Sequence, residues 1–422
     1  MLARVTTLWE NVRYSLWALP LAIAVACGLL AMIVLGADIP WVSEVGWLYD
    51  GGSQQAPEFA ASLVGAMITL TALAFSITMV VLTLAAQQLG PRLIEIFMRD
   101  RGTQAALGLF IGTVVYLLLV LRALDGGETS RSPALAITGG TGLVLFSVVS
   151  LLFFVHSLAR TIVSDSIVAR VGEELDHAIC EAFPRKTPSA NSHVPPPRGA
   201  AVRLAPRGYV QRIDYDGLAR AVEQHNAVVQ LAYGVGRHVV HGEIDAWVTA
   251  TEDLASEIGN CVVIGSRHSS TQDPEWSQRQ LVEIALRALS SGVNDVFTAL
   301  AVIDRLSLSL SILIERGEAQ RVWCDEKGAP RVFGPAPDFA SMLAGAFNQI
   351  RESGAQQGAV LRRLAENLSK LASLAHAEHA GPIETQLSLL EASVARLEDA
   401  AESGSIDLTI RRGRAALRGT VA

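Results

Sequence analysis

The first 160 residues alternate between long apolar stretches and short polar connections. The apolar stretches contain no Asp, Glu, Lys or Arg, and they run over Tyr14–Ala37, Phe59–Pro91, Gly102–Leu121 and Ser132–Ala159. A helix needs about 20 apolar residues to cross the hydrocarbon core of a bilayer, and each stretch reaches that length. The pattern predicts a transmembrane domain of four helices over residues 1–160.

The rest of the chain mixes charged and apolar residues at short intervals, which is typical of a water-exposed fold. Prolines from Pro184 to Pro197 indicate a linker. We predict three further parts: a helical extension with a Pro-rich linker (161–199), a small β-rich module (200–265) and a mainly helical domain (266–422). The predicted fold class is a membrane α-helical protein of four spans with a cytoplasmic α+β region.

Short strand-like segments separated by turns predict the β-rich module. They are Ala200–Leu204, Gly208–Ile213, Val228–Tyr233 and Val239–Val248. The run Val235-Gly236-Arg237-His238-Val239-Val240-His241-Gly242-Glu243-Ile244 resembles the hairpin of biotinyl- and lipoyl-type barrels, although their Met-Lys-Met attachment site is absent. The resemblance implies a compact, β-barrel-like module without a swinging arm.

Arginine positions predict the orientation of the spans, because cytoplasmic connections are enriched in Lys and Arg. Two arginines precede the first span, and Arg92, Arg99 and Arg101 lie between the second and third. The connection Asp38–Glu58 contains four acidic residues and no basic one. We predict a multi-pass protein of a bacterial inner membrane, with both termini in the cytoplasm. The three named arginines are candidates for binding lipid headgroups.

The second span carries polar side chains at intervals of seven residues. They are Ser62, Thr69, Ser76 and Thr83, and Gln87 extends the polar edge. In a helix they form one narrow stripe that drifts slowly, as in a left-handed helix crossing. Two interpretations stay open. Small and hydroxyl residues pack membrane helices closely, whereas uncharged hydroxyls also suit the lining of a weakly selective pore.

Two helices are predicted over Glu275–Ser290 and Val296–Glu315, with a turn at Gly292. Asn294 or Asp295 suits the N-cap of the second helix, because Asn and Asp lead at that position. The alternative interpretation is that these two residues hold a ligand or form a subunit contact.

Charge and motifs exclude several classes of function. The net charge of −7 argues against a nucleic-acid partner. The sequence lacks a P-loop, a G-x-S-x-G motif and a kinase motif set, so we predict no enzyme, no catalytic residue and no cofactor. His238 and His241 form an H-x-x-H pair, which on a pair of strands is more often a solvent-exposed turn than a set of metal ligands, and no metal is predicted.

Two blocks resemble a family of predicted bacterial membrane proteins, domain of unknown function 2254. The first block includes Gly90–Leu93 and Phe97–Gln104, and the second runs from Arg279 to Ser290 and on through Asn294–Ala299. Ser291 and Val296 depart from the family pattern, which has prolines there. The resemblance implies a topology and an inner-membrane location, and it brings no activity.

These observations lead to two functional hypotheses. The first is a homo-oligomeric channel or passive transporter for a small ion or solute, with a cytoplasmic regulatory domain. The alternative is a non-conducting membrane scaffold or sensor, in which the stripe of the second span only packs helices. The expected partners are the lipid bilayer and further copies of the chain.

Overall fold

The computed structural model of the chain describes residues 17–36, 55–89, 100–125, 133–161, 164–184, 199–204, 206–250, 254–268, 272–317, 319 and 321–421. The chain divides into two compact units. The membrane unit is Thr7–Val163, and the C-terminal unit contains Ser164–Ala422.

The described part of the membrane unit is a helix bundle. Its helices are α1 (Ala18–Gly36), α2 (Ala56–Leu89), α3 (Arg101–Asp125) and α4 (Pro133–Thr161). Helix α3 packs against the other three helices. In its apolar 18-residue segment, 44% of the residues are buried, compared with 17–22% in the corresponding segments of the other three helices. The bundle is therefore organised around α3.

Two glycines on α3 let α1 approach closely. Gly108 and Gly112 form a G-x-x-x-G pair, a spacing that allows membrane helices to pack backbone to backbone. A Cβ atom on Gly108 would lie 2.8 Å from Pro20 Cα, and one on Gly112 would lie 2.7 Å from Cys27 Sγ. At Gly108 the contact is with the backbone, so a larger residue there would push α1 away.

Helices and short strands alternate in the C-terminal unit. The helices are α5 (Ser164–Ala182), α6 (Tyr215–Glu223), α7 (Ala255–Cys261), α8 (Pro274–Ala288), α9 (Val296–Arg316), α10 (Phe339–Ser353), α11 (Gly358–Leu374), α12 (Ala377–Val394) and α13 (Ala400–Val421). The strands are β1 (Ala200–Val202), β2 (Gly208–Ile213), β3 (Val229–Leu231), β4 (His238–Val239), β5 (Ala246–Val248), β6 (Val262–Gly265), β7 (Val322–Cys324) and β8 (Pro330–Phe333).

The strands form two open sheets, so the expectation of a β-barrel-like module is wrong. The larger sheet has the order β1-β5-β3-β8-β7, and the smaller has the order β4-β2-β6. Strand β8 joins β3 in parallel, with Val332 opposite Val229. This pairing extends the larger sheet instead of closing it. Two glycines of the barrel-like run, Gly236 and Gly242, have φ of 85° and 89°, in the left-handed region that favours glycine.

Five described helices are long and apolar enough to cross a membrane, one more than the four predicted spans. The additional helix is α9, and 56% of its apolar 18-residue segment is buried within the structure. It packs against α5, α8, α10 and α11 in the C-terminal unit. Its Arg305 pairs with Asp176 of α5 at 2.5 Å, and its Asp304 pairs with Arg363 of α11 at 3.1 Å. Its apolar composition is therefore that of a helix at the centre of a protein core.

Candidate functional site

The polar stripe of the second span lies on the outer surface of the helix bundle. Four hydroxyl side chains of α2 are exposed there: Ser62, Thr69, Ser76 and Thr83. Met67 and Ala74, on the opposite face, are fully buried inside the bundle. The side chain of Gln87 lies outside the described residues. Within one copy of the described bundle, the stripe is therefore not a packing surface.

The threonines of the stripe satisfy their hydroxyl groups within their own helix. Thr69 Oγ1 donates to the Gly65 carbonyl at 2.9 Å, and Thr83 Oγ1 donates to the Met79 carbonyl at 2.8 Å. A hydroxyl that bonds the carbonyl four residues earlier can face lipid, another helix or water at little cost. Thr69 and Thr83 therefore need no hydrogen-bond partner outside their own helix.

The arginine candidates for lipid headgroups are only partly described. Arg101 begins α3 and is exposed, whereas Arg92 and Arg99 lie outside the described residues. Asp100 caps the same helix, accepting the Thr103 N–H at 3.0 Å and its hydroxyl at 2.6 Å. The lipid contact of the three arginines stays a prediction.

The turn between α8 and α9 uses its two candidate residues differently. Asp295 is the N-cap of α9, and it accepts the Thr298 N–H at 3.2 Å and the Thr298 hydroxyl at 2.6 Å. Asn294 is exposed and has φ of 50°, a left-handed conformation that Asn tolerates better than most residues. The cap therefore belongs to Asp295, and Asn294 forms the turn.

A cleft of about 470 Å³ lies in the C-terminal unit. That volume is within the range of small-molecule sites, about 300–1,000 Å³. One arginine, Arg212, and six carboxylate side chains line it: Glu181, Asp214, Asp216, Asp273, Glu275 and Asp338. The sequence reasoning missed this cleft, because its lining residues come from segments far apart in the chain.

Three of the six carboxylates are helix N-caps. Asp214 accepts the Gly217 N–H of α6 at 2.9 Å, Asp273 accepts the Trp276 N–H of α8 at 3.2 Å, and Asp338 accepts the Ser341 N–H of α10 at 2.7 Å. Each carboxylate satisfies a backbone donor that the first turn leaves free. Three helix N-termini therefore meet the cleft with their own acidic caps in place.

Asp273 is the most deeply placed of these groups, with 7% of its surface exposed. Burial, and then the nearby Glu275 carboxylate, raise the pKa of Asp273 to about 7. The turn at Gly236 covers it, since a Cβ there would lie 2.0 Å from Asp273 Oδ2. Asp273 is thus a carboxyl group that titrates near neutral pH at the wall of a cleft.

An aromatic pair forms the apolar wall of the cleft. The rings of Tyr215 and Trp323 stack at 3.7 Å between centroids with an angle of 3° between their planes. Burial raises the pKa of Tyr215 to about 12, so its phenol stays neutral. A sequence signal for part of this site existed, because Asp273-Pro274 is a typical helix start, with Pro at the first helical position.

Histidine pairs provide no metal centre in the residues that the structure describes. No group of three or more His, Cys, Asp or Glu side chains there is arranged to hold a metal ion. His238 of the H-x-x-H pair instead contacts the ring of Tyr209, with 4.7 Å between centroids. Burial lowers the pKa of His379, which favours its neutral form at the start of α12.

The apolar helix bundle and the mixed helix–strand unit define a multi-span membrane protein with a large second unit. The chain belongs to the family described as "Predicted membrane protein (DUF2254)", which matches residues 13–370. The resemblance found in the two sequence blocks is thereby confirmed.

Relatives of the chain occur in mycobacteria. It is 31% identical over 391 residues to the uncharacterized protein Rv1290c of Mycobacterium tuberculosis H37Rv, covering 88% of this chain and 74% of the relative. The uncharacterized protein Mb1321c of Mycobacterium bovis matches with the same values. No solved structure matches the chain.

Proposed function

We propose that the protein is a homo-oligomeric channel or passive transporter in which the α2 stripes of several copies surround a conduit. The observation that carries the proposal is the exposure of Ser62, Thr69, Ser76 and Thr83 on the bundle surface. The seven-residue interval of the stripe suits helices that cross in a left-handed bundle, so equivalent stripes would face one axis. Uncharged hydroxyl groups would give that axis weak selectivity.

Cysteine scanning of α2 tests the proposal in the purified full chain reconstituted in liposomes. Single cysteines at Thr69, Ser76 and Thr83 should react with a small hydrophilic thiol reagent. Cysteines at Ile68, which is 50% exposed on another face, and at half-buried Ile77 are the controls and should stay unreactive. A thiol in lipid remains protonated, and the thiolate is the reactive form.

Conductance gives the second readout. Ser76→Leu should narrow the conduit and lower solute flux while the oligomer still forms. Unreactive cysteines at all three stripe positions, together with no flux from the parent protein, would contradict the channel.

The second candidate is a non-conducting scaffold or sensor. It is favoured by the hydrogen bonds of Thr69 and Thr83 to their own helix, which leave the stripe able to pack without water. In this case Ser76→Leu would crowd a helix contact, and oligomer assembly would fail before any flux is measured.

For location, we propose a bacterial inner membrane with both termini and the C-terminal unit in the cytoplasm, on the basis of the arginine asymmetry. A cysteine at Ser53 should react with an impermeant thiol reagent in intact cells, and one at Ser403 should not. Labelling of the cysteine at Ser403 in intact cells would contradict the proposed orientation, because the C-terminal unit would then lie outside the cell.

A further inference from the structure

Two large apolar side chains project from the turn between α8 and α9, and we call them the apolar tip. Val293 is 51% exposed and Phe297 is 84% exposed. Phe297 is more exposed than any other large apolar side chain that the structure describes, including Phe153 on the candidate span α4, at 71%. The only charge between Ser290 and Phe297 is Asp295, which already caps α9. Within the described residues, nothing covers the tip.

Contacts inside the C-terminal unit show that α9 runs parallel to α5. Asp176 of α5 accepts the Ser309 hydroxyl of α9 at 2.6 Å. Seven residues further along both helices, the Phe183 carbonyl accepts a hydrogen bond from Arg316 Nη1 at 3.0 Å. The partners in both bonds are 133 positions apart, so the two helices advance together.

This register defines which end of the unit carries the apolar tip. Counting back the same 133 positions from Phe297 gives Ser164, the first residue of α5. Ser164 follows Thr161, the last residue of α4, by three positions. The chain therefore holds these two residues within about 11 Å of each other. The candidate span of α4 ends at Ser157, so the tip is at the end of the unit that the chain connects to the bilayer.

The size of the tip favours a lipid surface over another protein. A stable protein–protein interface buries about 1,200–2,000 Å², whereas one aromatic side chain buries about 150–250 Å². The next exposed large apolar side chain on α9 is Leu308, about 16 Å further along the helix than Phe297. Asp304, which pairs with Arg363, lies between them. A small apolar tip suits the headgroup boundary of a bilayer, where interfacial side chains lie about 5–10 Å deep.

We propose that the α8–α9 turn docks on the lipid bilayer, with the side chains of Val293 and Phe297 inserted among the headgroups and the upper acyl chains. The contact needs no particular headgroup, because the tip offers apolar side chains and not charges. It gives the C-terminal unit a second attachment to the membrane besides the covalent link before α5. Lipid contact at this turn requires neither a conduit along α2 nor a particular side of the membrane.

Fluorescence quenching in liposomes tests the lipid contact with the full chain. A fluorophore is attached to a cysteine introduced at Val293, and the lipid carries a nitroxide near the top of its acyl chain. The fluorophore at Val293 should be quenched. The matched control is a cysteine at Leu308, which is 55% exposed but further along α9, and a fluorophore there should not be quenched. The signal of the labelled parent chain, without an introduced cysteine, is subtracted.

Substitution of the aromatic ring separates insertion from mere proximity to the membrane. Phe297→Ser should remove most of the quenching at Val293, because the ring provides most of the apolar area of the tip. Leu308→Ser should leave that quenching unchanged. Both side chains are mostly exposed, so thermal unfolding of each variant should stay close to that of the parent.

Four outcomes would overturn the lipid contact. One is equal quenching at Val293 and Leu308, and another is no quenching at Val293. A third is quenching at Val293 that survives Phe297→Ser, because the covalent link before α5 alone would then explain it. The fourth is a disulfide between cysteines introduced at Val293 in two chains, formed in place of quenching, which would indicate contact between copies.

Discussion

Helices α2 and α9 have similar apolar composition and very different surroundings. Both helices are long and apolar enough to cross a bilayer. However, only 22% of the apolar 18-residue segment of α2 is buried in the structure, compared with 56% of that of α9. Their polar groups differ in the same way. In α2, Thr69 and Thr83 bond carbonyls of their own helix, whereas Arg305 of α9 bonds Asp176 on another helix.

The difference teaches that hydropathy alone does not identify the solvent of a helix. A helix in lipid must satisfy its polar groups internally or against other spans. A helix in a protein core can place charged groups at its edge, where neighbouring helices provide partners. The location of those partners, more than the apolar content, separates the two helices.

The largest expected change in stability concerns the apolar face of α9. Leu306 is 1% exposed, so Leu306→Ala should cost about 2–5 kcal/mol of unfolding free energy. Leu308, on the same helix and 55% exposed, is the control, and Leu308→Ala should cost about 0.5 kcal/mol or less. Urea unfolding of the full chain in detergent, followed by tryptophan fluorescence, measures both. Equal costs would mean that α9 is not a core helix.

The ion pair of α9 gives the next effect. Arg305→Met removes a salt bridge of 2.5 Å and a hydrogen bond of 2.9 Å to Ser309. The expected cost is about 1.5–3 kcal/mol, because the bonds involve charged groups that are mostly buried. Adding Asp176→Ala should cost less than the sum of the two single changes, since both remove the same pair. Strict additivity would show that the pair contributes no coupling.

Local sequence patterns predicted much of the secondary structure. Strand β2 has the predicted bounds, and α9 begins at Val296 as predicted and ends at Arg316, one residue later. These elements depend on periodicity and caps within a few residues. The pairing of β3 with β8 joins residues about a hundred positions apart, and no local pattern indicates it.

The candidate sites show the same division. Periodicity predicted that the hydroxyl residues of α2 share one face, but it does not tell whether that face is covered. The cleft needs segments from α5 to α10 to come together, and no local sequence pattern indicates that their carboxylates line one space. In the same way, no local pattern indicates that Arg414 of α13 pairs with Glu384 and Glu391 of α12, each at 2.8 Å.

A smaller test compares the helix starts of the two units. Asp295 and Asp100 cap α9 and α3 in the same way, through a threonine three residues later. Asp295→Ala should cost about 0.5–2 kcal/mol, and Asp295→Ser should recover most of it, since Ser also caps well. Asp100→Ala should behave alike in the membrane unit. Thermal unfolding of each variant measures the change in stability. If Asp295→Ala leaves stability unchanged, then the Asp295 cap does not stabilise α9.

The smallest expected effect tests the α2 side of the comparison. Thr69→Val and Thr83→Val replace hydroxyl groups that bond only their own helix backbone, so each should change stability by about 0.5 kcal/mol or less. The matched control is Thr113 of α3, which is fully buried. Its Oγ1 atom lies 3.1 Å from the Oγ atom of Ser147 on α4. Thr113→Val should cost about 0.6 kcal/mol and at most about 1.7, because it removes a hydrogen bond between helices.

Thermal unfolding in detergent micelles, with several repeats, resolves that order. If Thr69→Val costs more than Thr113→Val, then the exposed hydroxyl has a partner outside its own helix. That partner would lie outside the described bundle, which places nothing over this face. Such a result would remove the difference drawn between α2 and α9, because polar contacts outside their own helix would then stabilise both.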